Sequence, residues 1–445
     1  MTTYRQVVTA GDFGPWVSKL VLELPGEVSE EDVTPADFNV FCERRVRATG
    51  QVLLRKEAWQ PKPLPSRGYV GAKAAYPCDA SGARSSRGSY VALELSEERL
   101  NKLVEGGVMG SKLLTLAYRV TQLVPLTTPG GNAAPLAGLV FDECAGLDCP
   151  ALVGWTTQHG TFDGIELDYG VFEPDFAALE APRKMFGNEL PGELAPGQQV
   201  PLVLWLHGAG EGVGQAPGEP ERAWLGNRVT GLSDKFIQRR LGGAAYVVCP
   251  QCPTFWMDNG VEQLGRSNQS IYSVALGELV RTFVAEHPRV DPARVIVGGL
   301  SNGGFMTCRL IADNPGLFAC GVACCAPWYV ASEKPEELAA MAKTPIWFVH
   351  SKGDELVTLE ETALPLYHEL AAAGDEVHFT LYDHVEDLTG AYHAPDGSAL
   401  RTFNHGVWIH VYHDFPAQDL DGTAVLVDGR PVSVWEWAGT CRAQA

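Results

Sequence analysis

A serine hydroxyl attacks a carbonyl only when a base takes its proton, a carboxylate orients that base and donors receive the oxyanion. Ser301 has the surroundings for this. It sits in Gly299-Leu300-Ser301-Asn302-Gly303, followed by Gly304, with the strand-like run RVIVGG leading in and the helix-like GGFMTCRLIAD leading out. A sharp strand-to-helix turn strains the backbone and exposes the hydroxyl, and glycines two residues to either side remove side chains that would collide. The helix N-terminus that follows favours developing negative charge.

The oxyanion donors are expected in Trp205-Leu206-His207-Gly208-Ala209-Gly210, which closes an apolar run ahead of Glu211 and Gly212. Its backbone N–H groups, from Gly208 or Ala209, would act beside that of Asn302. In this chain order the acid follows the serine and the histidine comes last. Asp354 fits, lying just past the run Phe348-Val349-His350, with Glu355 as the adjacent competitor and Asp375, Asp383 and Asp387 as weaker ones. Eight of the 11 histidines follow Ser301. His350 precedes the acid, His368 and His378 fall in a helix and a strand, and His384 and His393 fall in a long polar loop. His405 opens an aromatic-rich segment after the last strand and is the favoured base, with His413 next. Trp256 and Trp328, in loops after strands, are expected to line the acyl or alcohol pocket.

These residues need a sheet to hold them. Short continuous apolar runs at 201–206, 244–248, 295–298, 319–325, 346–349 and 377–382 alternate with helix-like segments at 271–286, 304–312 and 359–373. That is the pattern of a parallel sheet covered on both faces, with 165–172 as an entry strand. The first 125 or so residues differ. Runs at 17–24, 38–41, 90–95 and 113–120 are separated by Gly, Pro and charged turns, which suggests a small antiparallel sandwich with one helical turn near 96–105. A Gly-, Pro- and Ala-rich stretch from 127 to about 150 reads as a connector. The expected division is 1–150, a β domain plus connector, and 151–445, an α/β domain.

A chain of 445 residues, 45% hydrophobic and 20% charged, is a globular protein of about two domains. A net charge of −20 repels phosphate backbones and anionic lipid, so neither nucleic acid nor a membrane is an expected partner. No stretch approaches the roughly 20 apolar residues of a membrane span. The opening MTTYRQVVTAGDFG lacks the layout of a secretory signal, and the 11 cysteines read as reduced, buried hydrophobes, so a cytoplasmic location is expected. Cys249 and Cys252 have redox-motif spacing and Cys144 and Cys149 lie close together, but no second pair or His cluster accompanies them, and packing is the expected role.

In LWLHGAGEG (204–212), CPQCP (249–253) with Trp256, GLSNGG (299–304), HSKGDELV (350–357), and His405 with Trp408 and Tyr412, the chain resembles the polyhydroxybutyrate-depolymerase-like and feruloyl-esterase-like branch of the α/β hydrolases, close to prolyl-oligopeptidase-type catalytic domains. As a whole it resembles bacterial esterases with an N-terminal immunoglobulin-like domain, the opening VVTAGDFGPWVSKLVLEL being similar to that domain's first strands. The chain departs from the group at Gly212-Val213-Gly214, where another charged residue is usual, and in its long 384–403 loop. The resemblance implies an α/β-hydrolase fold behind an immunoglobulin-like sandwich, Ser301, Asp354 and His405 as triad, and ester hydrolysis through an acyl-enzyme. No metal or organic cofactor is called for. The expected partner is a small-molecule or polymer-derived ester, and a homo-oligomer is compatible with the sequence. A serine peptidase and a non-catalytic binding protein are the alternative readings.

Overall fold

Alternating burial along Lys112–Gln122, and along Thr3–Gly11 and Phe38–Val46, is what a strand with one face on a core produces. In the computed structural model, which describes residues 2–106, 112–128, 135–185, 187–214 and 217–443, the chain forms two compact units, Met1–Val153 and Gly154–Ala445. The first is a two-sheet β structure. One sheet orders Glu143–Asp148, Thr3–Gly11, Gly14–Ser29, Arg87–Leu95 and Ala72–Cys78; the other runs Val140–Phe141, Lys112–Gln122, Phe38–Val46 and Arg67–Val70. Leu20, Leu22, Val91 and Leu93 from one sheet and Val40, Leu116, Tyr118 and Val120 from the other share one buried cluster. Two bonds tie the sheets: the Tyr118 N–H donates to Tyr4 Oη at 2.9 Å, and Gln6 Nε2 donates to Leu116 O at 2.7 Å.

Two expectations change here. The helical turn near 96–105 reduces to a 3-10 turn at Arg99–Asn101 followed by the short strand Val104–Glu105. The stretch read as a connector, of which 129–134 lie outside the described residues, contains Val140–Phe141 and Glu143–Asp148 as strands, the latter pairing in parallel with Thr3–Gly11.

The second unit is built on an eight-stranded sheet. Its strands are β1 (Trp155–Phe162), β2 (Ile165–Phe172), β3 (Val200–Leu206), β4 (Tyr246–Pro250), β5 (Val290–Leu300), β6 (Cys320–Cys324), β7 (Ile346–Ser351) and β8 (Val377–Tyr382). Their order across the sheet is β1-β2-β4-β3-β5-β6-β7-β8, antiparallel at β1/β2 and β2/β4 and parallel from β4 to β8. Every residue of β3, β4, β6 and β7 is buried, as expected for strands covered on both faces. Helices α1 (Ser273–Glu286), α2 (Asn302–Asp313), α3 (Pro335–Met341) and α4 (Ala363–Ala373) follow β4 to β7 in turn, and α5 (Val434–Thr440) closes the chain. Gly208 and Ala209 follow the carboxyl end of β3, Ser301 that of β5 and Asp354 that of β7, while His405 lies in the loop beyond β8. This is the α/β-hydrolase architecture.

Candidate active site

β5 ends at Leu300 and α2 begins at Asn302, so a single residue turns the chain. That residue, Ser301, has φ 54° and ψ −116°, a conformation an L-residue adopts only when its surroundings impose it. The flanking glycines impose it by close approach. A Cβ on Gly299 would come 2.6 Å from Leu206 O, and one on Gly303 would run into the Leu206 carbonyl and stand 2.7 Å from His207 O. The elbow therefore rests directly on the end of β3. The Ser301 N–H donates to Cys324 O at 2.9 Å, which fastens the turn to the end of β6.

The loop after β3 is braced from inside. His207 is buried; its Nε2 accepts the Cys252 N–H at 2.9 Å, which leaves Nδ1–H to donate to Gly208 O at 2.6 Å. Burial pushes the His207 imidazole down to about 4. The Glu211 carboxyl goes the other way, pushed up to about 7 by burial against the opposing pull of Arg222 and the Gly208 N–H. Their 3.9 Å separation is therefore no ion pair near neutral pH. Glu211 Oε2 accepts the Gly208 N–H at 2.9 Å, and Oε1 accepts from Asn227 Nδ2. The Gly208 N–H is thus already engaged. Ala209 opens the short turn Ala209–Glu211 that follows.

Trp256 and Trp328 are both fully buried. Trp256 donates its indole N–H to His207 O at 3.1 Å, and its backbone N–H to Asn302 Oδ1 at 2.6 Å, bridging the β3 loop to the elbow. Trp328 stacks on Phe305 and donates to Glu333 Oε2 at 2.7 Å. Asn302 itself is buried, and its Nδ2 has no hydrogen-bond partner.

Asp354 follows β7, its side chain only 1% exposed. Oδ1 accepts the N–H groups of Leu356 and Val357, both at 2.9 Å, and Oδ2 accepts His405 Nδ1–H at 2.7 Å. His350 Nε2 lies 3.2 Å from the same Oδ2. Burial pushes the carboxyl up, but the bonds from His350, His405 and the backbone outweigh it and hold Asp354 well below the ordinary carboxylate range. His405 occupies a single turn, Asn404–Gly406, its ring boxed by Phe403 and Trp408. Cys325, which follows β6, donates its thiol to His405 O at 3.5 Å and its backbone N–H to Val349 O at 2.8 Å. Cys325, Asp354 and His405 are thereby linked to one another past the ends of β6 and β7, while Ser301 is tied through its N–H to the neighbouring Cys324.

The competing residues are engaged elsewhere. His413 bonds Arg228 and stacks on Phe415, His378 bonds Asp419 at 3.0 Å, Asp383 takes Lys352 at 2.6 Å, and Asp387 caps the loop at Thr389. All 11 cysteines are free thiols, Cys249 and Cys252 buried among them. Sequence reasoning missed Glu211, whose i,i+3 spacing from Gly208 is that of a carboxylate closing a turn, and Cys325. It set His350 aside on chain order.

Comparisons with known proteins bear on the family and fold of the two units. Residues 3–135 match the family model of the esterase Ig-like N-terminal domain, and residues 196–389 match that of the phospholipase/carboxylesterase family. A thermostable esterase of known structure has a similar fold, with TM-score 0.69 and 22% identity over 92% of this chain and 96% of its own. A probable chloroplastic glutamyl endopeptidase of Arabidopsis thaliana is 33% identical over 132 residues, 28% of this chain but only 12% of that protein. The acylaminoacyl peptidase of Pyrococcus horikoshii aligns at TM-score 0.36 and 17% identity, over 61% of this chain and 43% of its own.

Proposed function

We propose that this chain, an α/β hydrolase joining an esterase immunoglobulin-like domain to a phospholipase/carboxylesterase domain, cleaves carboxylic esters through an acyl-enzyme on Ser301. The observation that carries the reading is the 2.7 Å bond between His405 and a buried, ionised Asp354, fastened to the same strand ends as the Ser301 elbow. With Nδ1–H given to Asp354, the other ring nitrogen of His405 is the one able to accept a proton. It takes the Ser301 proton as the hydroxyl oxygen bonds the ester carbon. The tetrahedral oxyanion is received by the N–H groups of Asn302 and, since Gly208 is engaged by Glu211, of Ala209. His405 then passes the proton to the departing alcohol, and water, activated the same way, releases the carboxylic acid and restores the serine. Leu356 and Phe403, exposed beside Asp354 and His405, offer apolar surface to the substrate.

The match to the glutamyl endopeptidase favours a second reading, amide cleavage by the same relay. Hydrolysis of p-nitrophenyl butyrate without release from aminoacyl-p-nitroanilides supports the ester reading. Faster turnover of the anilides overturns it.

A further inference from the structure

We propose that His350 is a positioning residue for this reaction, holding the Asp354 carboxylate in place and tempering the basicity it confers on His405. The proposal rests on the triad reading above. His350 stands at the end of β7, fully buried, four residues before Asp354. Its Nε2 bonds Val357 O at 3.1 Å and lies 3.2 Å from Asp354 Oδ2, so the ring proton belongs on Nε2, between these two oxygens. Its Nδ1 is buried with no hydrogen-bond partner. An apolar ring would fill this place without stranding a nitrogen. What the imidazole adds is the Nε2 donor.

An ionised carboxylate offers about four acceptor sites. At Asp354 three are taken by hydrogen bonds, the Leu356 and Val357 N–H groups on Oδ1 and His405 on Oδ2, and His350 Nε2 stands 3.2 Å from that same Oδ2. The two histidines draw on one oxygen. Whatever negative charge His350 holds at Oδ2 is withdrawn from the imidazolium that forms at 405, and the fourth contact stops the carboxylate rotating away from the base. A further titratable neighbour is Cys325, whose thiol sulfur lies within 4.8 Å of the facing atoms of Asp354 and His405. Burial and the nearby Asp354 push that thiol far up, so it stays uncharged.

The test is the pH profile of kcat/KM on p-nitrophenyl butyrate for the full-length wild type, His350→Leu and His350→Gln. His350→Leu removes the donor, so the acid limb moves up by about 0.5 pH unit or more and the plateau kcat falls roughly tenfold. The Gln amide nitrogen reaches the Nε2 position, so His350→Gln stays within about 0.2 unit of wild type. A role in packing alone lowers the unfolding midpoint and leaves the limb where it was. A limb that is unmoved or lowered in His350→Leu, or moved equally in His350→Gln, overturns the proposal. Should His350→Leu not fold, His350→Asn serves, since its amide stops at the Nδ1 position and the same upward shift is expected. Ser301→Ala runs alongside: retained activity there sinks the triad reading itself. An inactive Ser301→Ala with unshifted His350 variants sinks only the role of His350.

Discussion

Gly303→Ala probes how closely the elbow sits on β3. A Cβ at this position would lie 2.5 Å from the Leu206 carbonyl carbon and 2.7 Å from His207 O, both backbone atoms with no rotamer to yield. Carbon atoms in contact sit about 3.5–4.0 Å apart, so the start of α2 and the end of β3 must part by about 1 Å. The proposed oxyanion donors ride on these two pieces, Asn302 on α2 and Ala209 on the β3 loop, and their separation opens by the same amount. A misplacement of about 1 Å costs on the order of 100-fold in rate. Overpacking of this kind also destabilises by about 1–3 kcal/mol. Urea unfolding followed by tryptophan fluorescence, with kcat measured on p-nitrophenyl butyrate, reads both effects. A Gly303→Ala protein with the wild-type unfolding midpoint and a kcat within about threefold of wild type would refute the reasoning.

Other outcomes follow from the charged groups. Asp354→Asn keeps the shape but removes the charge and permits the wrong imidazole tautomer, so kcat is expected to fall by about 10³–10⁴ with the fold intact; a loss under tenfold contradicts the role. The Glu211 carboxyl, raised from 4.5 to about 7, contributes stability that is full below pH 4.5 and is lost as pH rises through 7. At about 1.4 kcal/mol per unit, the wild type should lose about 2–3 kcal/mol relative to Glu211→Gln between pH 5 and 8 in denaturant unfolding, and parallel pH curves would exclude it. For His378, burial pushes the imidazole down but Asp419 and Glu376 outweigh it and raise it to about 9. Its contribution is full below pH 6.5 and fades as pH rises through 9, so the wild type should drop by about 2 kcal/mol relative to His378→Gln between pH 7 and 10.

What could be read from the chain beforehand tracks burial. β3, β4, β6 and β7 announce themselves because strands covered on both faces must be continuous apolar runs. β1 and Glu143–Asp148 do not: each lies at a sheet edge, mostly solvent-facing, and carries polar sequence such as Thr156-Thr157-Gln158-His159 that no core dictates. Short turns such as Asn404–Gly406 escape for the same reason, their form being set by partners distant in sequence. The elbow was legible because backbone-to-backbone contact at Gly299 and Gly303 admits no other residue. The supports of the site were not. Glu211 offers only its i,i+3 spacing from Gly208 as a sign that it turns back onto the Gly208 N–H, and nothing local tells that Trp256 spans from His207 to Asn302 instead of facing a substrate. His350 shows the limit of ordering rules: a histidine ahead of the acid cannot serve as the base, yet it lies 3.2 Å from the acid's oxygen.

Intact-mass analysis after exposure to a fluorophosphonate bears most directly on the nucleophile. The account predicts one adduct on the native protein, mapping by peptide sequencing to Ser301 and absent from Ser301→Ala. An unmodified native protein, or an adduct that persists in Ser301→Ala, would contradict it.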